Sequence, residues 1–163
     1  MFSLMSKYET AMKLMVERCG NADKDNVIGL ATIALTANAK GNPRPSNRVV
    51  SAYYENGVFF VSTDATKSKM HEIEKNNEVA VCGLDWFVAS GTVENLGWVK
   101  DEKNEEIRAK MKKVFEWFND HGDEDNPNSI VLRITLTEGT IIDNEKKYGE
   151  WEYSVDFTNN TAK

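Results

Sequence analysis

The sequence predicts a mainly β (α+β) protein, a six-stranded antiparallel split β-barrel with Greek-key features and flanking helices. Three observations predict it. Asn56 and Gly57 lie between two β-rich segments and are a strong signal for a tight hairpin. Residues 130–136 alternate between apolar and polar side chains, as a strand with one buried face does. Short β-rich segments follow one another with helical patterns at the margins, which favours a closed antiparallel barrel.

The first element is predicted to be a helix. Ser6 and Glu9 form a capping-box pair, apolar residues recur at helical spacing over residues 8–19, and Gly20 follows them. The methionines of this apolar stripe favour packing in the core over a soft binding groove.

Six strands and two helices are predicted after this first helix. The predicted strands are residues 27–36, 44–54, 58–63, 78–84, 87–96 and 130–136. A short helix is expected between the third and fourth strands, and Asp101 is expected to cap a second helix over residues 101–119.

The C-terminal quarter is expected to be less regular. Residues 120–128 are rich in helix breakers and predict a loop. Gly139 is expected to turn the chain into a short strand over residues 140–143. The tail after Asn144 carries aromatic side chains that are expected to dock on the body or on a partner.

Length and charge bound the class of protein. The 163 residues fit one domain, 1–163, which is long enough to bury a hydrophobic core. The net charge of -6 argues against general binding to nucleic acid or to an anionic membrane surface. No apolar run reaches membrane-spanning length.

The cysteines and histidines predict neither a disulfide framework nor a metal site. Cys19 and Cys82 fall in apolar patterns and are expected to be small buried residues, which favours a reducing cytoplasm. His71 and His121 are far apart and lack further ligand-type neighbours at metal-binding spacing.

Candidate binding residues concentrate around the loop that follows the hairpin. Thr63, Thr66, Lys67, Ser68 and Lys69 come at the end of the third predicted strand and the start of the short helix, and Arg48 lies one hairpin strand earlier. Hydroxyls, cations and free helix N-terminal N–H groups suit a phosphate monoester. An ordinary turn with a helix cap uses the same residue types and the same N–H groups, so the two interpretations are compatible.

Taken in order, these residues resemble the flavin-binding split barrels related to pyridoxamine 5'-phosphate oxidase. The resemblance lies in Arg48, in Thr63-Asp64, in Lys69, and in the helix 70–77 with the strand 79–81 after it. It implies FMN as cofactor, with its phosphate held by Arg48 and Lys69.

The resemblance extends to the neighbours of those two cations. Thr63, Thr66, Lys67 and Ser68 are expected to complete the phosphate site, although Ser68 stands where the family commonly has an arginine. On the strand of Arg48, the resemblance implies that Val49, Val50 and Ser51 offer backbone groups to the rim of the isoalloxazine, with ordinary strand pairing as the competing interpretation.

The implied function is that of an FMN-binding flavoprotein, an NAD(P)H-dependent oxidoreductase acting on an unidentified small molecule. The family implies a homodimer with the ligand site at the subunit interface. Tyr53 stands where the oxidase has a substrate-binding lysine, and the C-terminal tail lacks the oxidase's arginine and histidine. The chain therefore resembles the general stress protein and nitroimidazole reductase branches more than the vitamin B6 enzyme.

Two alternatives stay open at this point. One is a split barrel that carries haem or a deazaflavin. The other is a non-catalytic flavin-binding or ligand-free dimer that acts in stress or regulation. No side chain of the sequence is assigned a catalytic role.

Overall fold

A computed structural model describes residues 4–163, which form eight strands and four α-helices. The helices are α1 (Lys7–Cys19), α2 (Ser68–Lys75), α3 (Glu105–Val114) and α4 (Phe118–His121), and a 3-10 turn covers Glu102–Asn104. The strands are β1 (Asn26–Ile33), β2 (Pro45–Glu55), β3 (Val58–Asp64), β4 (Glu78–Gly83), β5 (Phe87–Trp98), β6 (Ser129–Ile142), β7 (Glu152–Asp156) and β8 (Thr161–Ala162).

Six strands close into an antiparallel barrel. Neighbours follow the order β3-β2-β1-β4-β5-β6, and β3 pairs with β6 to close the ring. β7 and β8 extend the sheet beyond β6 as two short antiparallel strands. The predicted six-stranded antiparallel barrel with flanking helices is confirmed.

The core has two parts, one inside the barrel and one outside it. The inner side chains alternate with outward-facing ones along each strand, as the period of two requires; Leu30, Phe59 and Leu132 are among those fully buried there. A second apolar cluster lies on the outer side of β2 and β6, where α3 and α4 cover Tyr53 and Val131.

The first helix forms as its sequence predicts. The Ser6 hydroxyl accepts a hydrogen bond from the Glu9 amide at 3.1 Å, and the Glu9 carboxylate accepts one from the Ser6 amide at 2.7 Å. Gly20 ends the helix with a φ of 73°, a left-handed conformation that glycine adopts without strain. Met15 of the apolar stripe is fully buried in the core, which confirms its packing role.

The prediction of a turn at Gly139 is wrong. β6 runs unbroken through this residue, which pairs with Ala89 of β5. A Cβ built on Gly139 would lie 2.4 Å from the backbone oxygen of Val88, so the absent side chain lets the two strands approach closely. Glycine here serves a close contact rather than a change of direction.

The helix predicted over residues 101–119 is also interrupted. α3 ends at Val114, and Phe115 takes an extended conformation, with φ -96° and ψ 103°, before α4 begins. Phe115 is fully buried against Tyr53 and Phe118 in the second cluster. Packing thus overrides helical continuity at this residue.

The aromatic tail docks on the body of the protein. Tyr153 and Val155 of β7 are buried in the main core, and Trp151 remains about half exposed. None of the helices within residues 4–163 is long and apolar enough to cross a membrane.

Candidate functional site

The first half of β2 is an open edge of the barrel. Residues 45–52 pair with β1, but β2 meets β3 only at Tyr53, Tyr54 and Glu55. Alternate residues of this half therefore present backbone N–H and C=O groups that have no strand partner on that side, within the part of the chain that the structure describes.

Arg48 lies on the inner face of β2 next to this edge and is already extensively hydrogen-bonded. Its Nη1 donates to the backbone oxygen of Leu30 at 3.3 Å and to the Thr32 hydroxyl at 2.6 Å. Its Nη2 donates to the Ser46 hydroxyl and to a carboxylate oxygen of Glu72, both at 2.8 Å. Of the five N–H donors of a guanidinium, only the one on Nε is left without an acceptor in residues 4–163.

Glu72 is the anionic partner of Arg48. It lies on the buried face of α2 and is 8% exposed. Burial alone would raise the pKa of this carboxyl, but hydrogen bonds from Thr32 and Arg48 and the charge of Arg48 outweigh it and lower the pKa. Glu72 is therefore a buried carboxylate that stays ionised because its neighbours donate to it.

Lys69 is a cation without a matching anion. Its side chain is half-buried at the start of α2, and no ion pair within residues 4–163 involves it. Desolvation lowers the pKa of Lys69, and the positive charges of Arg48 and Lys67 lower it further, with Asp64 acting in the opposite direction. Lys69 therefore carries a positive charge that no ion pair compensates within residues 4–163.

The loop before α2 leaves helix N–H groups unpaired. Asp64 accepts hydrogen bonds from the Thr66 amide at 2.7 Å and from the Thr66 hydroxyl at 2.6 Å, which lower the pKa of this exposed carboxyl. α2 has no side-chain cap, and the amides of Ser68 and Lys69 have no acceptor in the described residues. Such amides, at the positive end of the helix dipole, favour an anion.

The structure brings some of the predicted site residues together and separates others. Arg48 and Lys67 lie close enough to Lys69 for their positive charges to lower the pKa of Lys69. The hydroxyl of Thr66 is taken by Asp64, whereas those of Thr63 and Ser68 have no hydrogen bond to another described residue.

The three residues after Arg48 alternate between the faces of β2. Val50 points inward and packs against the main core, whereas Val49 points outward and is 70% exposed. Ser51 is half-buried on the same outward face. The three side chains therefore do not line one pocket, and only alternate residues among the three present their backbone groups to the open edge of β2.

Glu72, Thr32 and Ser46 are site residues that the sequence did not reveal. Glu72 follows Lys69 by three residues, which places both on one side of α2, and this spacing was the one available signal. Thr32 reaches Arg48 only because of the β1–β2 register, in which Leu30 faces Arg48. No local sequence pattern indicates that register, because it depends on how the two strands pair in the folded protein.

Two aromatic residues of interest pack elsewhere than on the polar residues around Arg48. Tyr53 is fully buried under α3, so it does not line an accessible ligand pocket. Trp86 packs on Phe87, with 4.4 Å between ring centroids, and Arg18 lies over its ring. No group of metal-ligating side chains occurs within the described residues.

A shallow groove runs over the outer face of the barrel. It has a volume of about 970 Å³ and is lined by β1, β4, β5, β6, β7 and β8 and by the start of β2. Small side chains dominate its floor, including Gly29, Ala31 and Ala80. Val27, Val49 and Val88 on the outward faces of the same sheet are between 56% and 70% exposed, so this side of the barrel presents several apolar side chains to solvent.

The chain matches one protein-family model, described as pyridoxamine 5'-phosphate oxidase, over residues 27–143. This range is more than half of the chain and contains the whole Arg48 and Lys69 region. No curated protein sequence matches the chain.

Solved structures with the same fold come from several bacteria. A protein related to general stress protein 26 from Clostridium acetobutylicum has a TM-score of 0.61 at 14% identity, covering 96% of this chain and 99% of its own. A heme-binding protein from Mycobacterium smegmatis has a TM-score of 0.61 at 13% identity, covering 98% and 61% respectively. A pyridoxamine 5'-phosphate oxidase-related, FMN-binding protein from Nostoc punctiforme has a TM-score of 0.53 at 14% identity, covering 93% and 90%.

Proposed function

The chain belongs to the pyridoxamine 5'-phosphate oxidase family, and on that premise we propose that it is an FMN-binding flavoprotein. Solved structures of the same fold include an FMN-binding protein and a heme-binding protein. The observation that carries the choice of FMN is the uncompensated charge of Lys69 at the uncapped start of α2, beside the open edge of β2. A phosphate and a flat ring system with polar edges suit these two features together.

The residues that fit FMN divide into two groups. Lys69, Arg48 and the start of α2 would hold the phosphate, with Thr63, Thr66, Lys67 and Ser68 around it. Among Val49, Val50 and Ser51, the backbone groups that point to the open edge of β2 would face the polar rim of the ring. Backbone hydrogen bonds suit this rim because it carries both donors and acceptors.

We assign to FMN the transfer of hydride equivalents from NAD(P)H to a small acceptor. The cofactor supplies the redox chemistry when bound, and the protein supplies binding, orientation and electrostatics. No acid or base side chain of the described site is assigned to this step. The buried position of Tyr53, where the vitamin B6 enzyme has its substrate lysine, supports an acceptor other than pyridoxamine phosphate.

We further propose that the chain acts as a homodimer with the ligand site at the subunit interface, in the cytoplasm, and as one domain. The exposed apolar face with Val27, Val49 and Val88 supports the dimer, because a patch of this kind on a sheet is typical of an interaction surface. Light scattering tests this, and a single-chain mass at micromolar concentration would contradict it.

A second candidate function is the binding of haem or a deazaflavin without catalysis, in a stress-related role. The fold shared with the heme-binding protein from Mycobacterium smegmatis favours haem among these. The groove of about 970 Å³ is of the size that large planar ligands occupy.

One experiment separates these functions. The protein is purified and its absorption spectrum recorded, then separate samples are titrated with FMN, riboflavin and hemin. FMN binding that is tighter than riboflavin binding supports the flavoprotein, because only FMN carries the phosphate. Anaerobic mixing of the FMN-loaded protein with NADPH should then bleach the flavin. Hemin binding without FMN binding would overturn the proposal, and an FMN complex that NADPH leaves oxidised would limit it to a flavin-binding protein.

A further inference from the structure

We propose that Glu72 is a specificity-determining residue of the anion site: it occupies Arg48 as an internal competitor and weakens the binding of phosphate-bearing ligands. This inference rests on the proposed function and deepens it, because it concerns the strength and selectivity of the same site. It makes Glu72 a residue that acts through Arg48 rather than one that touches the ligand.

The geometry supplies the first step. Both terminal nitrogens of Arg48 are engaged, and the bond from Nη2 to Glu72 is 2.8 Å long. A guanidinium grips an oxyanion best through two parallel N–H bonds. Since only the Nε–H of Arg48 is free, a phosphate cannot accept two parallel hydrogen bonds from this guanidinium until at least one existing hydrogen bond is broken.

Burial and connectivity supply the second step. The side chains of Arg48 and Glu72 are 21% and 10% exposed, so water screens their attraction only weakly. Thr32 connects the pair: its hydroxyl receives a hydrogen bond from Arg48 and donates one to Glu72. The carboxylate is therefore held in place by two neighbours and does not leave Arg48 without a compensating partner.

Charge supplies the third step. Arg48 and Glu72 neutralise one another, which leaves Lys69 as the half-buried cation that has no anion. A phosphate monoester carries close to two negative charges at neutral pH. Such a ligand would meet Lys69 and an Arg48 whose charge Glu72 already compensates, so removal of the carboxylate charge should strengthen its binding.

The test compares Glu72→Gln with wild type. Glutamine keeps the size of the side chain and still accepts hydrogen bonds from Arg48 and Thr32, but it removes the competing charge. We expect Glu72→Gln to bind FMN about tenfold more tightly, the effect of one additional charge-assisted contact. Riboflavin, which lacks the phosphate, should bind equally well to both proteins. Fluorescence titration measures all four affinities.

Two controls isolate the route through Arg48. Glu74→Gln makes the same charge change on an exposed part of α2 and should leave the ratio of FMN to riboflavin affinity unchanged. The double variant Arg48→Met with Glu72→Gln should bind FMN more weakly relative to riboflavin than Glu72→Gln alone, since the released cation is gone. A weaker FMN complex for Glu72→Gln alone would mean that Glu72 positions Arg48 for the ligand, and this sign would overturn the inference.

A second readout keeps the inference testable apart from flavin binding. Thermal unfolding is followed in sodium phosphate and in sodium chloride of equal ionic strength. Phosphate should raise the melting temperature of Glu72→Gln more than that of wild type or Glu74→Gln. If it does so while no variant binds FMN, the proposed function fails and the role of Glu72 stands. If wild type binds FMN but neither readout responds to Glu72→Gln, the role of Glu72 fails and the proposed function stands.

Discussion

Replacement of Lys69 by alanine tests the proposed anion site by removing the cation that has no ion pair. Lys69 is half-buried at the start of α2, has no ion pair in the described residues, and has a pKa lowered by desolvation and by the nearby charges of Arg48 and Lys67. The structure therefore predicts opposite effects on the ligand-free protein and on its complex with FMN.

In the proposed FMN complex, the substitution would remove one charge-assisted contact to the phosphate. Such a contact contributes about 1.5 to 3 kcal/mol, which corresponds to a loss of about tenfold to more than a hundredfold in FMN affinity. Riboflavin affinity should stay the same, because the lysine is assigned to the phosphate alone.

In the ligand-free protein, the same substitution should not reduce stability. A base whose pKa is lowered on folding binds fewer protons in the folded state, so its charge opposes folding. This unfavourable contribution is fully present below the lowered pKa and disappears as the pH rises through the ordinary value of 10.5. At neutral pH, Lys69→Ala should therefore be at least as stable as wild type.

The assays are flavin fluorescence titration and denaturant unfolding at neutral pH, with Lys75→Ala as the matched control. Lys75 is an exposed lysine in the last turn of the same helix, and its replacement should leave FMN affinity unchanged. Equal FMN affinity for wild type and Lys69→Ala, together with lower stability of the variant, would show that Lys69 only packs against the body of the protein.

Three further predictions concern the scaffold. Tyr53→Phe removes a buried hydroxyl that has no partner in the described residues and should therefore raise the free energy of unfolding by about 1 kcal/mol. A denaturant titration in which this free energy falls would refute the prediction. Hydrogen bonding with Arg108 lowers the pKa of Glu124 from 4.5 to about 2, so Glu124→Gln should lower the free energy of unfolding by about 1 kcal/mol at neutral pH. This difference in stability from wild type should disappear as the pH falls from 4.5 towards 2, and a difference that persists at pH 2 would contradict the prediction. Gly139→Ala places a methyl group 2.4 Å from a backbone oxygen of β5 and should lower stability by about 2 kcal/mol or more, which thermal unfolding would disprove if the melting temperature stayed the same.

The elements of the barrel could be predicted because their signals are local. The turn at Asn56 and Gly57, the alternation over residues 130–136 and the capping box at Ser6 each fix one element within a few residues of chain. The predictions of a turn at Gly139 and of an unbroken helix through Phe115 are wrong for the opposite reason. A glycine needed for a close strand contact and a phenylalanine drawn into a second core depend on neighbours distant in sequence.

The candidate site divides in the same way. Lys69 and the start of α2 are consecutive in sequence and could be recognised from residue types. The partner of Arg48 could not, because the bond to Glu72 joins β2 to α2 across 24 residues and depends on how the helix packs against β1. Residue types alone show which groups can bind an anion, but not which of them the chain already uses.

The open edge of β2 supports the proposed position of the ligand site in the barrel. β3 pairs with β6 along its whole length and with β2 only near the hairpin, so the two strands separate towards Arg48. An exposed strand edge is a liability that proteins cover with side chains, a helix or another chain. Here α2 begins beside the gap between β2 and β3, with uncapped N–H groups and the cation of Lys69. These groups next to the edge favour a bound anionic ligand. A ligand with a phosphate at one end and a polar ring edge at the other would satisfy both the helix amides and the strand backbone, which neither a second protein strand nor free phosphate does.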